Sequence, residues 1–175
     1  MFVCIDAHYF AARSAVAGVV FRDIQSDVVE REYVRETAEV EPYHSGHFYK
    51  RELPGIQALL RKINFAIHTV IIDGYVWLSS DLKPGLGAHL FRSLGSEIPV
   101  IGVAKSPYRD VSMAVKVYRG DSSRPLFVSA AGMEKVQAAR LIRQMHGRHR
   151  LPTLLKQADT LSRKPALKFS LDDTR

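Results

Sequence analysis

A single-domain α/β fold, a mixed sheet flanked by helices, is what this sequence of 175 residues predicts. Three observations predict it. Two short apolar, β-branched runs, His68 to Gly74 and Pro99 to Lys105, have the composition of strands buried on both faces, and they deliver charged side chains, Asp73 and Lys105, where they end. The N-terminal stretch up to Val40 carries three β-prone segments broken by turn residues, the pattern of an antiparallel meander. Between and after these, apolar residues recur three and four apart, as amphipathic helices require.

Taken in order, Phe2 to Asp6 reads as the first strand, Ser14 to Arg22 as the second, and a third falls within Val28 to Val40, after the turn residues Gln25-Ser26-Asp27. A polar, aromatic loop follows, Pro42 to Tyr49, with turn chemistry and no sustained period. The first helix is expected from Pro54, which suits a first turn, through Ile56, Leu59, Leu60 and Ile63, with Arg51-Glu52 just ahead of it. After the strand ending at Asp73 come Trp77, a polar loop with Asp81 and Pro84, and a short helix from Leu86 to Leu94 closed by Gly95. Met113 to Tyr118 and Leu126 to Ser129 read as two more strands, and Met133 to His146 as a helix with Val136, Ala139, Ile142 and Met145 on one face, stopped by Gly147. Leu151 to Arg163 reads as the last helix. Residues 1–165 are thus expected to form one domain and 166–175 a disordered tail.

Composition narrows the function. With 46% hydrophobic and 25% charged residues the chain is not wholly disordered. No apolar run approaches the ~20 residues that span a bilayer, and the N-terminus lacks a basic leader, so a cytoplasmic protein without membrane partners is expected, acting as a monomer. The single Cys4 allows neither an internal disulfide nor a cysteine zinc site, and its place in an apolar strand assigns it to the core. The net charge of +7 is uneven: residues 101–175 hold 15 Lys and Arg against 6 Asp and Glu, whereas residues 1–100 hold 10 against 12. A basic half beside a slightly acidic one suits a protein that grips a polyanion with one part and holds a cation with the other. Arg140, Arg143, Arg148 and Arg150 are the expected phosphate contacts.

The order of elements, with Asp6 on the first strand and Asp73 on the strand after the first long helix, fits a ribonuclease H-like sheet in which those two strands are neighbours. Two strand-borne carboxylates brought together in this way make a site for a hard divalent cation, Mg²⁺ or Mn²⁺, which suits phosphodiester hydrolysis.

Five pieces of the chain, in order, resemble the endonuclease V family: Cys4-Ile5-Asp6-Ala7-His8-Tyr9; Pro42-Tyr43 with Gly46 and Arg51-Glu52; Ile72-Asp73-Gly74; Ile101-Gly102-Val103-Ala104-Lys105-Ser106; and Arg150-Leu151-Pro152 with Ala158-Asp159. The resemblance covers most of the chain and implies metal-dependent cleavage of DNA or RNA near a deaminated adenine, inosine or deoxyinosine. It gives Asp6, Glu52 and Asp73 the role of metal ligands, and places Lys105 beside the scissile phosphate. Tyr43 takes the position of an aromatic wedge, with Gly46 and Gly74 among the nucleic-acid contacts.

Departures accompany the likeness. Val76 and Ser79-Ser80-Asp81 stand where the family has a glycine and then His-Pro-Arg, and Ser129-Ala130-Ala131-Gly132 replaces Ser-Pro-Gly-His, so that a histidine of the family's site is absent. His89 matches a family histidine and is expected to be structural. Two functions follow: an endonuclease with altered base recognition, favoured because Asp6, Glu52, Asp73 and Lys105 are all kept, or a nucleic-acid-binding homologue with impaired catalysis.

Overall fold

The computed structural model describes residues 1–10, 13–38, 48–110 and 112–172. Among them the strands are β1 (Phe2–Phe10), β2 (Arg13–Phe21), β3 (Arg31–Ala38), β4 (Thr69–Asp73), β5 (Val100–Ala104), β6 (Val115–Val117) and β7 (Leu126–Ala131). The helices are α1 (Phe48–Leu60), α2 (Leu86–Ser93), α3 (Lys135–Gln144) and α4 (Thr153–Asp172). One seven-stranded sheet results, ordered β3-β2-β1-β4-β5-β7-β6.

The expected meander forms the first half of that sheet: β1 pairs antiparallel with β2, and β2 with β3. β1, β4 and β5 are parallel neighbours, which explains why β4 and β5 are apolar throughout: the sheet's centre is covered on both faces. On one face Cys4, Val19, Ile71, Ile101 and Val128 pack against Ile142 of α3 and Leu154, Ala158 and Leu161 of α4. On the other, Val3, Ile5, Val70, Ile72 and Val100 pack against Ile56 and Leu59 of α1 and Leu90 of α2. Cys4 is fully buried and burial drives its thiol pKa far up, so it is a core residue, as expected.

Several boundaries and one helix face differ from those expected. β1 continues to Phe10 because its far half pairs with β2 beyond the sheet's centre, so Asp6 lies within a strand. α1 begins at Phe48, leaving Pro54 inside the helix and exposed, where its missing N–H costs one backbone bond. Arg51 and Glu52 are therefore helical residues. Val136 is 61% exposed, and the buried face of α3 is Ala138, Ala139 and Ile142. α4 passes through Pro165 to Asp172, beyond the expected end at Arg163. None of the described helices is long and apolar enough to cross a membrane.

Candidate active site

The parallel pairing of β1 with β4 runs from Phe2–Thr69 to Ile5–Ile72, and the next residue on each strand is a carboxylate, Asp6 and Asp73. The sheet thus sets two acids side by side where β4 ends. α1 supplies the third. Glu52 precedes Ile56 by four residues and Leu59 by seven, so it belongs to the helix stripe that faces the sheet and is only 6% exposed. Asp6, Glu52 and Asp73, with Ala7 and Gly74, line one cavity of about 330 Å³ floored by Ile5, Ile56, Ile72 and Leu86.

Charges crowded into this apolar setting shift. Burial, then the neighbouring Asp6 and Asp73, pushes the Glu52 carboxyl up to about 8. Burial, with Asp73 and Asp159 nearby, raises Asp6 to about 6 against the opposing hydrogen bond from Ser162. Among the described residues no three such side chains are drawn into a ready-made cation cage. Asp73 is turned to Lys105, whose Nζ donates to its Oδ2 at 2.6 Å. Lys105 follows β5, the next parallel strand, and burial that would lower its pKa is outweighed by the hydrogen bond and charge of Asp73, so it stays charged.

The loop after β4 depends on two glycines. Gly74 has φ +136°, a conformation open to glycine. Gly102 of β5 lets that loop lie on the strand, because a Cβ there would stand 2.5 Å from the Gly74 carbonyl oxygen. Val76 then enters the core, fully buried, and its N–H donates to Ser129 Oγ at 2.9 Å. Its side chain packs beside Gly87 and is no part of the carboxylate cavity's lining. Farther along, the backbone N–H groups of Ser80 and Ser112 both donate to Asp110, joining the loops after β4 and β5 and holding the Asp110 carboxyl down at about 2. Tyr75 adds a second tie, its hydroxyl donating to the Ser106 carbonyl at 2.9 Å.

α4 contributes residues that the sequence reading left out of the site. Ser162 Oγ donates to Asp6 Oδ2 at 2.5 Å, and Asp159, 7% exposed, meets Lys105 at 3.7 Å, Lys156 at 3.4 Å and Arg163 at 3.1 Å. Those cations hold the Asp159 carboxyl below its ordinary value although burial opposes them. A signal was present: Ala158-Asp159 is part of the family likeness, and Lys156, Asp159 and Arg163 have the spacing of one helix face.

The arginines divide. Arg150 is not a free phosphate arm, since its Nη2 donates to the backbone carbonyls of Lys105 and Pro125, the latter at 2.8 Å. Arg119, buried at the end of β6, donates to the carbonyls of Met145, Gly147 and His149 and so fixes the turn between α3 and α4 that carries Arg150. Its replacement by Met is expected to cost about 2–4 kcal/mol, read as a lower urea midpoint, because several buried carbonyls lose a charged donor at once. Arg140, Arg143 and Arg148 are exposed and line neither the carboxylate cavity nor the groove beside Lys105. Tyr43 and Gly46 lie outside the described residues. His89 stacks on Tyr49, ring centroids 3.6 Å apart, and joins α2 to α1.

The missing histidine also finds its place. β7 runs antiparallel to β5, with Ala131 opposite Val100 and Phe127 opposite Ala104, so Gly132 sits at the opposite end of the sheet from Lys105. A Cβ on Gly132 would stand 2.7 Å from the Phe91 ring. The carboxylate site therefore does not lack a histidine on that account.

The fold is a ribonuclease H-like mixed sheet in which Asp6, within β1, stands beside Asp73 at the end of β4, and Lys105 follows β5. The endonuclease V family model matches residues 1–121, and the chain belongs to the endonuclease V family. Endonuclease V of Alkalilimnicola ehrlichii is 26% identical over 170 residues, spanning 86% of this chain and 74% of its own. The fold is similar to that of endonuclease V from Bacillus subtilis (TM-score 0.79, 19% identity, 99% of this chain and 83% of that one). It is also similar to Ciona intestinalis endonuclease V in complex with a 24mer DNA containing an inosine followed by a ribo-adenosine (TM-score 0.78, 20% identity, 96% and 86%).

Proposed function

We propose that this protein is a divalent-metal-dependent endonuclease that hydrolyses a phosphodiester bond of DNA or RNA near a deaminated adenine. The observation that carries it is the meeting of Asp6, Glu52 and Asp73, from β1, α1 and β4, in one cavity with Lys105 at its edge. Family membership supports the reaction class, and the inosine-bearing DNA bound by the Ciona relative supports the substrate.

The donor set fits a hard cation. Among the described residues that line the cavity there are three carboxylates and no cation, and burial and mutual repulsion raise Asp6 and Glu52 although Lys105 and Arg51 act against the shift, so their joint ionisation calls for further positive charge. Asp6, Glu52 and Asp73 would hold Mg²⁺ or Mn²⁺, which when bound supplies an acidified water and offsets charge on the phosphate. Ser162 engages Oδ2 of Asp6, which itself lines the cavity, and so fixes that carboxylate from the α4 side. Lys105, kept charged by Asp73 and Asp159, is placed to stabilise the phosphate oxygens as negative charge grows. Gly74, lacking a side chain, leaves the cavity's entry open. Of the two departures that favour the binding-only alternative, the absent histidine maps to the far end of the sheet, and the replaced His-Pro-Arg segment is left to carry it.

The test is incubation with labelled single- and double-stranded oligonucleotides, with and without inosine, in Mg²⁺ and in Mn²⁺. Cleavage in Mn²⁺ is expected. No cut in any strand at saturating protein would return the protein to a binding role.

Altered base recognition belongs to the same proposal and now rests on the exposed segment Ser79 to Asp81, where Ser79 Oγ donates to the Asp81 carboxylate. An anion there replaces the family's arginine. The inosine-over-adenine ratio of cleavage rates is therefore expected to be low in the natural protein and to rise about tenfold in Asp81→Arg, the scale of one charge-assisted hydrogen bond. An unchanged ratio would remove this segment from recognition.

A further inference from the structure

On the α4 side of the sheet's rim, Asp6, Asp73, Lys105 and Leu151 line a narrow gap that leads away from the carboxylate cavity. Sharing Lys105 and Leu151 with that gap is a groove of about 650 Å³ along the first turns of α4, lined also by His149, Lys156, Asp159 and Arg163. The carboxylate cavity faces α1 and this groove faces α4, so Lys105 stands between two depressions. A strand whose scissile phosphate lies at Lys105 has two flanks to place.

Resting on the endonuclease reading, we infer that the α4 groove is a strand-binding subsite, taking the unpaired nucleotides that continue from the scissile phosphate on the side away from the α1 cavity. Charge supports this occupant. Lys105, Lys156 and Arg163 converge on the single carboxylate of Asp159, and an ammonium carries three donors and a guanidinium five, more than two oxygens can take up. The side chains of Lys156 and Arg163 are 65% and 54% exposed, so their remaining N–H groups face the groove and solvent. Asp159 thus gathers cations into a bracket whose surplus positive charge suits a phosphate. The floor suits what hangs from the phosphate: Leu151 offers an apolar surface and His149 a planar ring, the pairing that holds a sugar and a stacked base in single-strand sites. Arg150, through the Lys105 and Pro125 carbonyls, ties the groove's edge to β5 and β7, so subsite and lysine form one framework.

The experiment keeps one inosine in a single strand and trims the strand nucleotide by nucleotide, from the 5′ end in one series and the 3′ end in another. KM and kcat are measured in Mn²⁺, and Kd for the same strands in EDTA. Trimming is expected to raise KM and Kd about tenfold on one side as the groove is vacated. In Lys156→Gln, Arg163→Gln that one-sided loss should disappear, full-length KM should rise about tenfold, and the slope of log affinity against log salt should flatten by roughly 1.4, for two phosphate contacts to a single strand. Lys156→Glu, altering only the more exposed cation, should weaken full-length binding in the same direction, which separates the groove from any disturbance of Asp159 by the arginine change. Equal losses from both ends, a one-sided loss that persists in the variants, or a fall in kcat with KM unchanged would each overturn the subsite. A wild-type protein that cuts nothing would sink the endonuclease reading instead, and the Kd series would still decide the groove.

Discussion

Asparagine in place of Asp73 is expected to lower strand cleavage by about 10²–10³-fold while leaving strand affinity intact or tighter. The substitution removes a charge and keeps the shape: an amide oxygen can still accept from Lys105 Nζ, now 2.6 Å from Oδ2, and β4 keeps its pairing with β1 and β5. What is lost is one of three anionic donors for the cation that the reaction needs, and a single well-placed electrostatic partner is commonly worth about 10²–10³ in rate. Affinity should move the other way, because a carboxylate beside a phosphate repels it. The measurement is single-turnover cleavage of an inosine strand in Mn²⁺ alongside the Kd of that strand in EDTA. A rate within a few-fold of the natural protein would take Asp73 out of the reaction. A parallel loss of rate and affinity would mean that the change had damaged the fold rather than the chemistry.

How legible this was in the sequence depended on whether a residue's environment is set locally. β4 and β5 were readable because strands buried on both faces must be apolar throughout, and the charge that breaks such a run marks the rim of the sheet. Asp6 and Asp73 followed from that rule together with the order of elements. Family likeness alone points to Glu52 in the sequence, because Pro54 signals a helix start that leaves Glu52 ahead of α1. With the helix begun at Phe48, Glu52 falls on the Ile56–Leu59 stripe, and an acid on a buried stripe is itself a sign of a site. The basic half was legible as charge and not as function: a guanidinium binding backbone carbonyls, as Arg119 and Arg150 do, is the same letter as one facing solvent. Ser162 could not be placed from its neighbours in the chain, since its contact with Asp6 spans 156 positions and exists only because α4 packs across β1.

Glutamine at position 52 is expected to stabilise the metal-free protein at alkaline pH, an unusual outcome for a substitution at a buried active-site residue. Glu52 sits among Ile56, Ile72 and Leu86 with two other carboxylates nearby, so ionising it costs free energy in the folded state and almost none in the unfolded one. The sign follows from the raised pKa. Below its ordinary value of 4.5 the group is protonated whether the chain is folded or not, and it contributes nothing. Between that pH and about 8 the folded protein holds a proton that the unfolded chain has released, so stability falls as pH rises, by up to about 1.4 kcal/mol per pH unit. Above about 8 the whole penalty is in force. Glu52→Gln abolishes it, so at pH 8.5 the metal-free variant should unfold at a temperature higher by several degrees, given about 2–4 °C per kcal/mol for a domain of this size. At pH 5 the gap between the two proteins should nearly close. Mn²⁺ reverses the comparison: by binding the folded state alone it should raise the natural protein's midpoint in proportion to the logarithm of its concentration, and the variant's much less. Thermal unfolding of both proteins from pH 5 to 8.5, with EDTA and with Mn²⁺, covers every arm. Equal midpoints at pH 8.5 in EDTA would mean that Glu52 is already solvated or paired in solution, and an equal response to Mn²⁺ would take it out of the cation's donor set.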